Sequence, residues 1–321
     1  MSVVVPARDA AATIGACVAA VLAQRFPADR RELIVVDDGS RDGTAAVARD
    51  AGARVVSETG RGPAAARNAG ARAASGDLLL FTDADCVPDP DWIARLVAPF
   101  RDPDVVATKG AYRTEQPQLV ARFAQAEYED KYRRMRHFPT IDFVDTYSAA
   151  YRRDAFLLAG GFDERYRQAA NEDLDLSFRL AEQGSRMIFV PDALVRHTFP
   201  TRLRDYARRK YKVGYWKPLL HRDHPEKAKS DSHTPGTLRL QIVLAALAGA
   251  LAVPGLVWRP AGWGLAAALI GHVASSLPMA VRSARADRRL LPAVPILVLV
   301  RSYALGIGYP AGWRALRRGS V

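Results

Sequence analysis

The chain opens on an unbroken apolar run, Ser2-Val3-Val4-Val5-Pro6, and similar runs return at Leu33-Ile34-Val35-Val36 and Asp77-Leu78-Leu79-Leu80-Phe81-Thr82. Short runs that are apolar at nearly every position and end in polar turns predict strands buried on both faces. Residues 13–24, 44–51 and the Ala-rich 63–74 predict helices, and Val55-Val56 a short strand. Strands alternating with helices predict an α/β fold, a mostly parallel sheet with helices on both faces. Farther on, Gly160-Gly161 reads as a sharp turn. Asn171-Glu172-Asp173-Leu174-Asp175 reads as a helix start with Asn171 as N-cap and acids at the positive end of the dipole. Ile188-Phe189-Val190 is a further expected strand, with His197 shortly after it.

Beyond Pro200 the pattern changes character. Residues 201–237 interleave Tyr206, Tyr211 and Tyr215 with Lys210, Lys212 and arginines, which predicts a basic helix in the plane of a membrane interface, with a polar linker over 221–236. Residues 238–321 then form an apolar region. Two runs, 240–258 and 261–281, are each long enough to cross ~30 Å of hydrocarbon, and the Arg259-Pro260 joint makes them a hairpin. Arg282, Arg285, Arg288 and Arg289 follow, so the positive-inside rule returns the chain to the cytosol. The third apolar segment, 290–313, contains Arg301 and is expected either to span or to be re-entrant. No charged leader precedes the first strand, which places the expected N-terminal domain, residues 1–200, in the cytosol of a multi-pass cell-membrane protein.

Charge sharpens this division. The net charge of +12 over 321 residues would suggest nucleic acid, but residues 1–195 carry 25 basic and 29 acidic side chains while residues 196–321 carry 21 and 5. An acidic globular part joined to a basic apolar tail fits anionic membrane lipids and not nucleic acid. Cys17 and Cys86 form no CxxC pair, so neither a disulfide framework nor a zinc site is expected.

In open α/β sheets ligands sit beyond the carboxyl ends of the strands. This sequence places Pro6-Ala7-Arg8-Asp9, Asp37-Asp38-Gly39-Ser40 and Asp83-Ala84-Asp85 at such ends. Carboxylates gathered in one crevice repel each other and imply a cation or a cationic ligand there.

Val35-Val36-Asp37-Asp38-Gly39-Ser40, Ala66-Arg67-Asn68-Ala69-Gly70, Phe81-Thr82-Asp83-Ala84-Asp85 and Asn171-Glu172-Asp173, in this order, resemble family 2 glycosyltransferases of the GT-A fold over residues 2 to about 200. The resemblance implies a Rossmann-like catalytic domain and a nucleotide-diphosphate-sugar donor, a UDP-sugar being more usual in the family and a GDP-sugar left open. It also implies donor contacts from Pro6, Ala7, Arg8, Asp37, Asp38, Arg67, Asp83, Gly160 and Gly161. Asp83, Asp85 and His197 would hold Mn2+ or Mg2+, and Asp173, assisted by Glu172, would be the base of an inverting transfer. Asp175 is expected only to decorate the helix start. Lys210 and Lys212 would either close over the donor diphosphate or face head groups. The implied activity is transfer of a sugar to a lipid-linked acceptor in envelope polysaccharide or glycolipid synthesis. Transfer to polyprenyl phosphate and a non-catalytic nucleotide-binding membrane scaffold are the alternatives.

Overall fold

The computed structural model describes residues 1–227 and 231–319, so residues 228–230 of the expected linker lie outside the described residues. Among the described residues eight strands form one sheet: β1 Ser2–Ala7, β2 Glu32–Asp38, β3 Arg54–Glu58, β4 Leu78–Phe81, β5 Cys86–Pro88, β6 Val105–Arg113, β7 Ala149–Arg152 and β8 Arg186–His197. The helices are α1 Ile14–Leu22, α2 Thr44–Asp50, α3 Pro63–Ala73, α4 Trp92–Val97, α5 Leu119–Met135, α6 Arg153–Leu158, α7 Glu172–Glu182, α8 Leu203–Asp223, α9 Leu238–Leu251, α10 Pro254–Val257, α11 Arg259–Ala284 and α12 Leu290–Arg317. The chain divides into two compact units. The first comprises residues 1–115, 132–198 and 226–233, and the second 116–131, 199–225 and 234–321.

In the first unit the strand order is β3-β2-β1-β4-β7-β6-β8-β5. The first four strands are parallel, as their apolar runs predicted. Beyond β4 the sheet is mixed, because β7 runs antiparallel to β4 and β6, and β5 antiparallel to β8. Val3, Val4 and Val5 on β1 are wholly buried, each worth roughly 1.5–3 kcal/mol of transfer free energy. The Ala-rich face of α3 lies directly on this strand, and a Cβ at Gly70 would collide with Val4 Cγ1. The first unit thus brings the carboxyl ends of β1, β2 and β4 together beside the start of α3.

The second unit is helical. Its apolar core gathers Phe123 and Ala126 of α5, Tyr206 of α8, Ala280 of α11 and Leu290, Val294, Leu297 and Val298 of α12. The apolar run 240–258 is not one helix: α9 ends at Leu251 and α10 restarts at Pro254, whose ring removes a backbone donor. The segment 290–313 is, by contrast, inside one continuous helix, and α11 and α12 are long and apolar enough to cross a membrane. Glycines let α8 approach α12 closely; a Cβ on Gly214 would lie 2.6 Å from the Leu305 carbonyl oxygen.

Arg301 is buried inside this unit, 3.0 Å from Glu127 Oε1 and 2.6 Å from Gln241 Oε1. Lys210 reaches Glu127 Oε2 at 2.9 Å and Tyr206 donates to it at 3.0 Å. Lys210 therefore neither faces head groups nor closes over a donor; it neutralises a buried acid. Burial pushes the Glu127 carboxyl up, but Lys210 and then Arg301 outweigh it and hold the value at about 2, against an ordinary 4.5. A lowered folded-state value means stability present above pH 4.5 and lost as pH falls toward 2. Glu127→Gln leaves two cations short of a partner and is expected to cost about 3–5 kcal/mol at neutral pH. The gap in melting temperature between the two proteins should narrow as pH drops below 4.5; a gap that stays constant would contradict the ion network.

Candidate active site

The loop after β1 is held by the loop after β2. The amides of Asp9, Ala10 and Ala11 donate to Ser40 Oγ (3.0 Å), Thr44 Oγ1 (2.8 Å) and Asp42 Oδ2 (3.1 Å), and Arg41 N–H donates to Asp9 Oδ1 (2.8 Å). Asp9 adopts φ +49°, a left-handed conformation that this hydrogen-bonding sustains. Asp38, at the end of β2, accepts the Gly62 N–H at 3.0 Å and lies 3.8 Å from the Arg8 guanidinium. Gly62 has φ +104°, and a Cβ there would sit 2.6 Å from the Arg167 carbonyl oxygen, so only glycine lets these segments meet.

These loops border a cavity of about 490 Å³ lined by Pro6, Ala7, Arg8, Asp38, Arg67, Asp83 and Asp85, with Arg167 on the same wall. Arg67, on α3 and 3% exposed, spans the site. One guanidinium nitrogen lies 2.8 Å from Asp83 Oδ1 and another 3.0 Å from Glu172 Oε1. Burial works against its charge, but Asp83 and then Glu172 prevail and raise its proton affinity, with a further contribution from Asp173. Glu172 is fixed from both sides, since its Oε2 accepts the Ala170 N–H at 2.8 Å. Asp173, half-buried in the first turn of α7, is thus held in the field of a cation that lines the cavity. The same carboxylate, after burial, pushes the Tyr151 hydroxyl up.

Asp85 and His197 come together: Asp85 Oδ1 lies 3.5 Å from His197 Nδ1, and the imidazole stacks on Tyr112 with centroids 4.6 Å apart. Cys86 joins them, its Sγ 3.6 Å from the same nitrogen. Asp85, Cys86 and His197 form a group able to hold a metal ion, their ligand atoms all within 4.8 Å. Asp83 is instead engaged by Arg67. Both thiols lie beneath this loop, Cys17 donating toward the Asp83 carbonyl at 3.5 Å. Burial first, then the charges of Asp83 and Asp85, push Cys17 up to about 12 and Cys86 well above the ordinary thiol value.

Of the remaining residues singled out in the sequence, Asp37, Gly160, Gly161, Glu172, Asp173 and His197 are not among those lining the cavity. Asp37 accepts the Ser40 N–H at 3.3 Å and so shapes the turn after β2. Gly160 and Gly161 take φ +84° and +68°, and a Cβ on Gly161 would lie 2.5 Å from Asn68 Oδ1. Asn68 locks that turn by accepting from Phe162 N–H (2.9 Å) and donating to the Phe162 carbonyl (2.8 Å). Asn171 occupies the N-cap position without a side-chain capping bond. Asp175 does more than decorate the helix: buried, it pairs with Arg179 at 2.8 Å, and Arg179 donates to the carbonyl of Gly161 at 2.6 Å.

Sequence reasoning missed Arg167 and Cys86. No periodicity marks Arg167, which lies in the loop before α7. Cys86 could have been noticed, being next to Asp85; what the sequence could not show is its cross-strand pairing with His197 between β5 and β8.

A mixed sheet with a clamped loop after β1, an acidic loop after β4 and an acidic helix start facing a common arginine defines the GT-A class of catalytic domain. Residues 2–157 match the model described as Glycosyl transferase family 2, and this part of the chain belongs to that family. It is 34% identical over 260 residues to the pre-mycofactocin glycosyltransferase of Mycobacterium tuberculosis, covering 76% of this chain and 52% of the relative. The chain therefore spans about half the length of that relative. It is 26% identical to the glucosyl-dolichyl phosphate glucuronosyltransferase of Haloferax volcanii, covering 74% of this chain and 82% of the relative. A mannosyltransferase from Pyrobaculum calidifontis, solved with GDP-Man and Mn2+, superposes with a TM-score of 0.62 over 98% of this chain and 87% of its own, at 23% identity. That likeness shows a common fold.

Proposed function

We propose that the protein is an inverting glycosyltransferase that moves one sugar from a nucleotide-diphosphate-sugar to a lipid-linked acceptor at the cytosolic face of the cell membrane. The observation that carries this is the Arg67 bridge, which ties the acidic loop after β4 to the start of α7, the helix whose first turn bears Asp173. In the reaction an acceptor hydroxyl oxygen bonds to the anomeric carbon while the carbon–oxygen bond to the diphosphate breaks on the opposite face. The bonding pair leaves with the diphosphate, and Asp173 takes the hydroxyl proton. Glu172 holds Arg67 and orients the base. Pro6, Ala7, Arg8, Asp37 and Asp38 shape the nucleoside end, and Gly160 and Gly161 support the turn that Asn68 fixes.

Asp85 and His197 fit a divalent cation, Mn2+ or Mg2+, in chemistry and spacing, with Asp83 beside it on Arg67. Such an ion would neutralise charge that grows on the diphosphate as it leaves. The GDP-Man and Mn2+ bound by the Pyrobaculum calidifontis enzyme are consistent with this donor class.

The lipid-linked acceptor rests on the helical unit. The connection from α9 to α11, which contains α10, bears Val253, Leu256, Val257 and Trp258, and Trp263 follows near the start of α11, all strongly exposed, with Leu256 at 83% and Val257 at 89%. A tip of this kind is suited to lipid and not to water. The 26-residue α11 spans about 39 Å at 1.5 Å per residue. A hairpin of α9 and α10 with α11 would keep the chain before and after it on one side, and the arginines at 282–289 support a cytosolic position for that side. We assign α12 to the interface, because the basic α8 is packed against it around Gly308 and Gly312. The Haloferax relative's name, which contains a dolichyl phosphate, agrees with a lipid carrier.

The test is a binding and turnover screen of UDP- and GDP-sugars in detergent with Mn2+ or Mg2+. Selective binding of one donor, lost on chelation and in Asp85→Ala, is expected, with turnover onto polyprenyl-linked acceptors. No metal-dependent donor binding by the folded protein would overturn the reading in favour of a scaffold. Turnover confined to water-soluble acceptors would remove its lipid part.

A further inference from the structure

The cation site of the proposed donor complex contains a sulfur ligand that a Mg2+ or Mn2+ site does not need. Hard cations prefer carboxylate, carbonyl and water oxygens, whereas thiolates select zinc and other soft ions. Cys86 is wholly buried, and its Sγ lies 3.6 Å from His197 Nδ1 and 3.9 Å from Asp85 Oδ1. The third edge, from His197 Nδ1 to Asp85 Oδ1, is 3.5 Å. Zinc bonds of ~2.3 Å to sulfur and ~2.0–2.1 Å to nitrogen or oxygen, at a tetrahedral angle, separate neighbouring ligand atoms by about 3.5 Å. The three measured edges therefore already approximate one face of a zinc tetrahedron.

The frame around this face is rigid. Cys86 and His197 are direct cross-strand partners of β5 and β8, and Asp85 precedes the cysteine by one residue. Tyr112 stacks on the imidazole and holds its plane. The Asp85 side chain, 43% exposed, lies on the cavity wall and gives an ion its way in.

We propose that Asp85, Cys86 and His197 capture Zn2+ as a three-ligand site, and that zinc bound there excludes the catalytic Mn2+ or Mg2+ and inhibits the enzyme. The proposal rests on the reading of Asp85 and His197 as the donor-complex cation site. On binding, the Cys86 S–H bond breaks, the Zn–S bond forms and the proton passes to solvent, so capture strengthens as pH rises. Divalent ions with d-electrons bind nitrogen and sulfur sites in the order Mn2+ below Co2+ below Zn2+, which gives zinc the advantage over the activating metal.

The decisive measurement is the absorption spectrum of the full-length, unmodified protein in detergent titrated with Co2+, then with Zn2+, with no donor present. A thiolate-to-cobalt charge-transfer band, bleached by one equivalent of Zn2+, is expected. Cys86→Ser should lose the band and weaken zinc binding by at least about 10-fold, the loss that even an outer-shell partner brings. Cys17→Ser should keep the band. A cobalt spectrum without thiolate character, or zinc binding equally tight in Cys86→Ser, would overturn the proposal. This readout is independent of the donor: a thiolate band in a protein that binds no nucleotide-sugar would sink the donor reading and leave the zinc site standing, whereas Mn2+-dependent donor binding without the band would do the reverse.

Discussion

Asp173→Asn is expected to lower turnover by about 10²–10⁴-fold, the contribution of a general base, while leaving donor affinity within a factor of a few. The amide is nearly isosteric with the carboxylate but cannot take up a proton. The local structure should survive the change, because one oxygen remains to accept the Leu174 N–H that Asp173 Oδ1 now accepts at 2.8 Å. The backbone carbonyl of Asp173, which accepts from Ser177 Oγ at 2.6 Å, is unaffected. The measurement also separates two acceptors. A hydroxyl needs its proton removed during attack, so its transfer should collapse. A polyprenyl phosphate is already ionised, so substantial residual turnover would identify a phosphate as the nucleophile.

The first half of the sheet was legible because a strand buried on both faces leaves an apolar run that is short and ends in a polar turn, unlike the much longer apolar runs of α11 and α12. The acidic ends of β2 and β4 were legible for a different reason: charged residues at that spacing have no place in a packed core. Residues 86–147 gave no such signal. β6 mixes Thr108, Lys109 and Tyr112 into its run, and its Lys109 is buried only because Asp145 and the Tyr147 hydroxyl take up its charge and hydrogen bonds. An ion pair between residues 36 positions apart is invisible to periodicity. Lys210 shows the same limit. On α8 alone it resembles a head-group contact; its partner Glu127 is on another helix, and only the fold brings the two together.

Arg67→Met is expected to cost about 3–5 kcal/mol, which in a domain of this size lowers the melting temperature by on the order of 10 °C, and to abolish metal-dependent donor binding as well. The cost comes less from the lost attraction than from what remains. Glu172, with a side chain only 4% exposed, would keep a buried charge without a cation. A double-mutant cycle separates these terms: adding Glu172→Gln to Arg67→Met should recover much of the lost stability, since the buried charge is then gone. It should recover no turnover, because the acidic loop would still be detached from α7. Arg67→Lys offers the complementary test. It preserves the charge, but a single ammonium cannot reproduce the two-armed geometry of 2.8 Å to Asp83 and 3.0 Å to Glu172. Stability near the native value with donor binding weakened would show that the bridge acts by positioning. Melting temperatures unchanged in both Met and Lys variants would mean that the loop after β4 and the start of α7 are held together by other contacts, and the argument from the Arg67 bridge would fail.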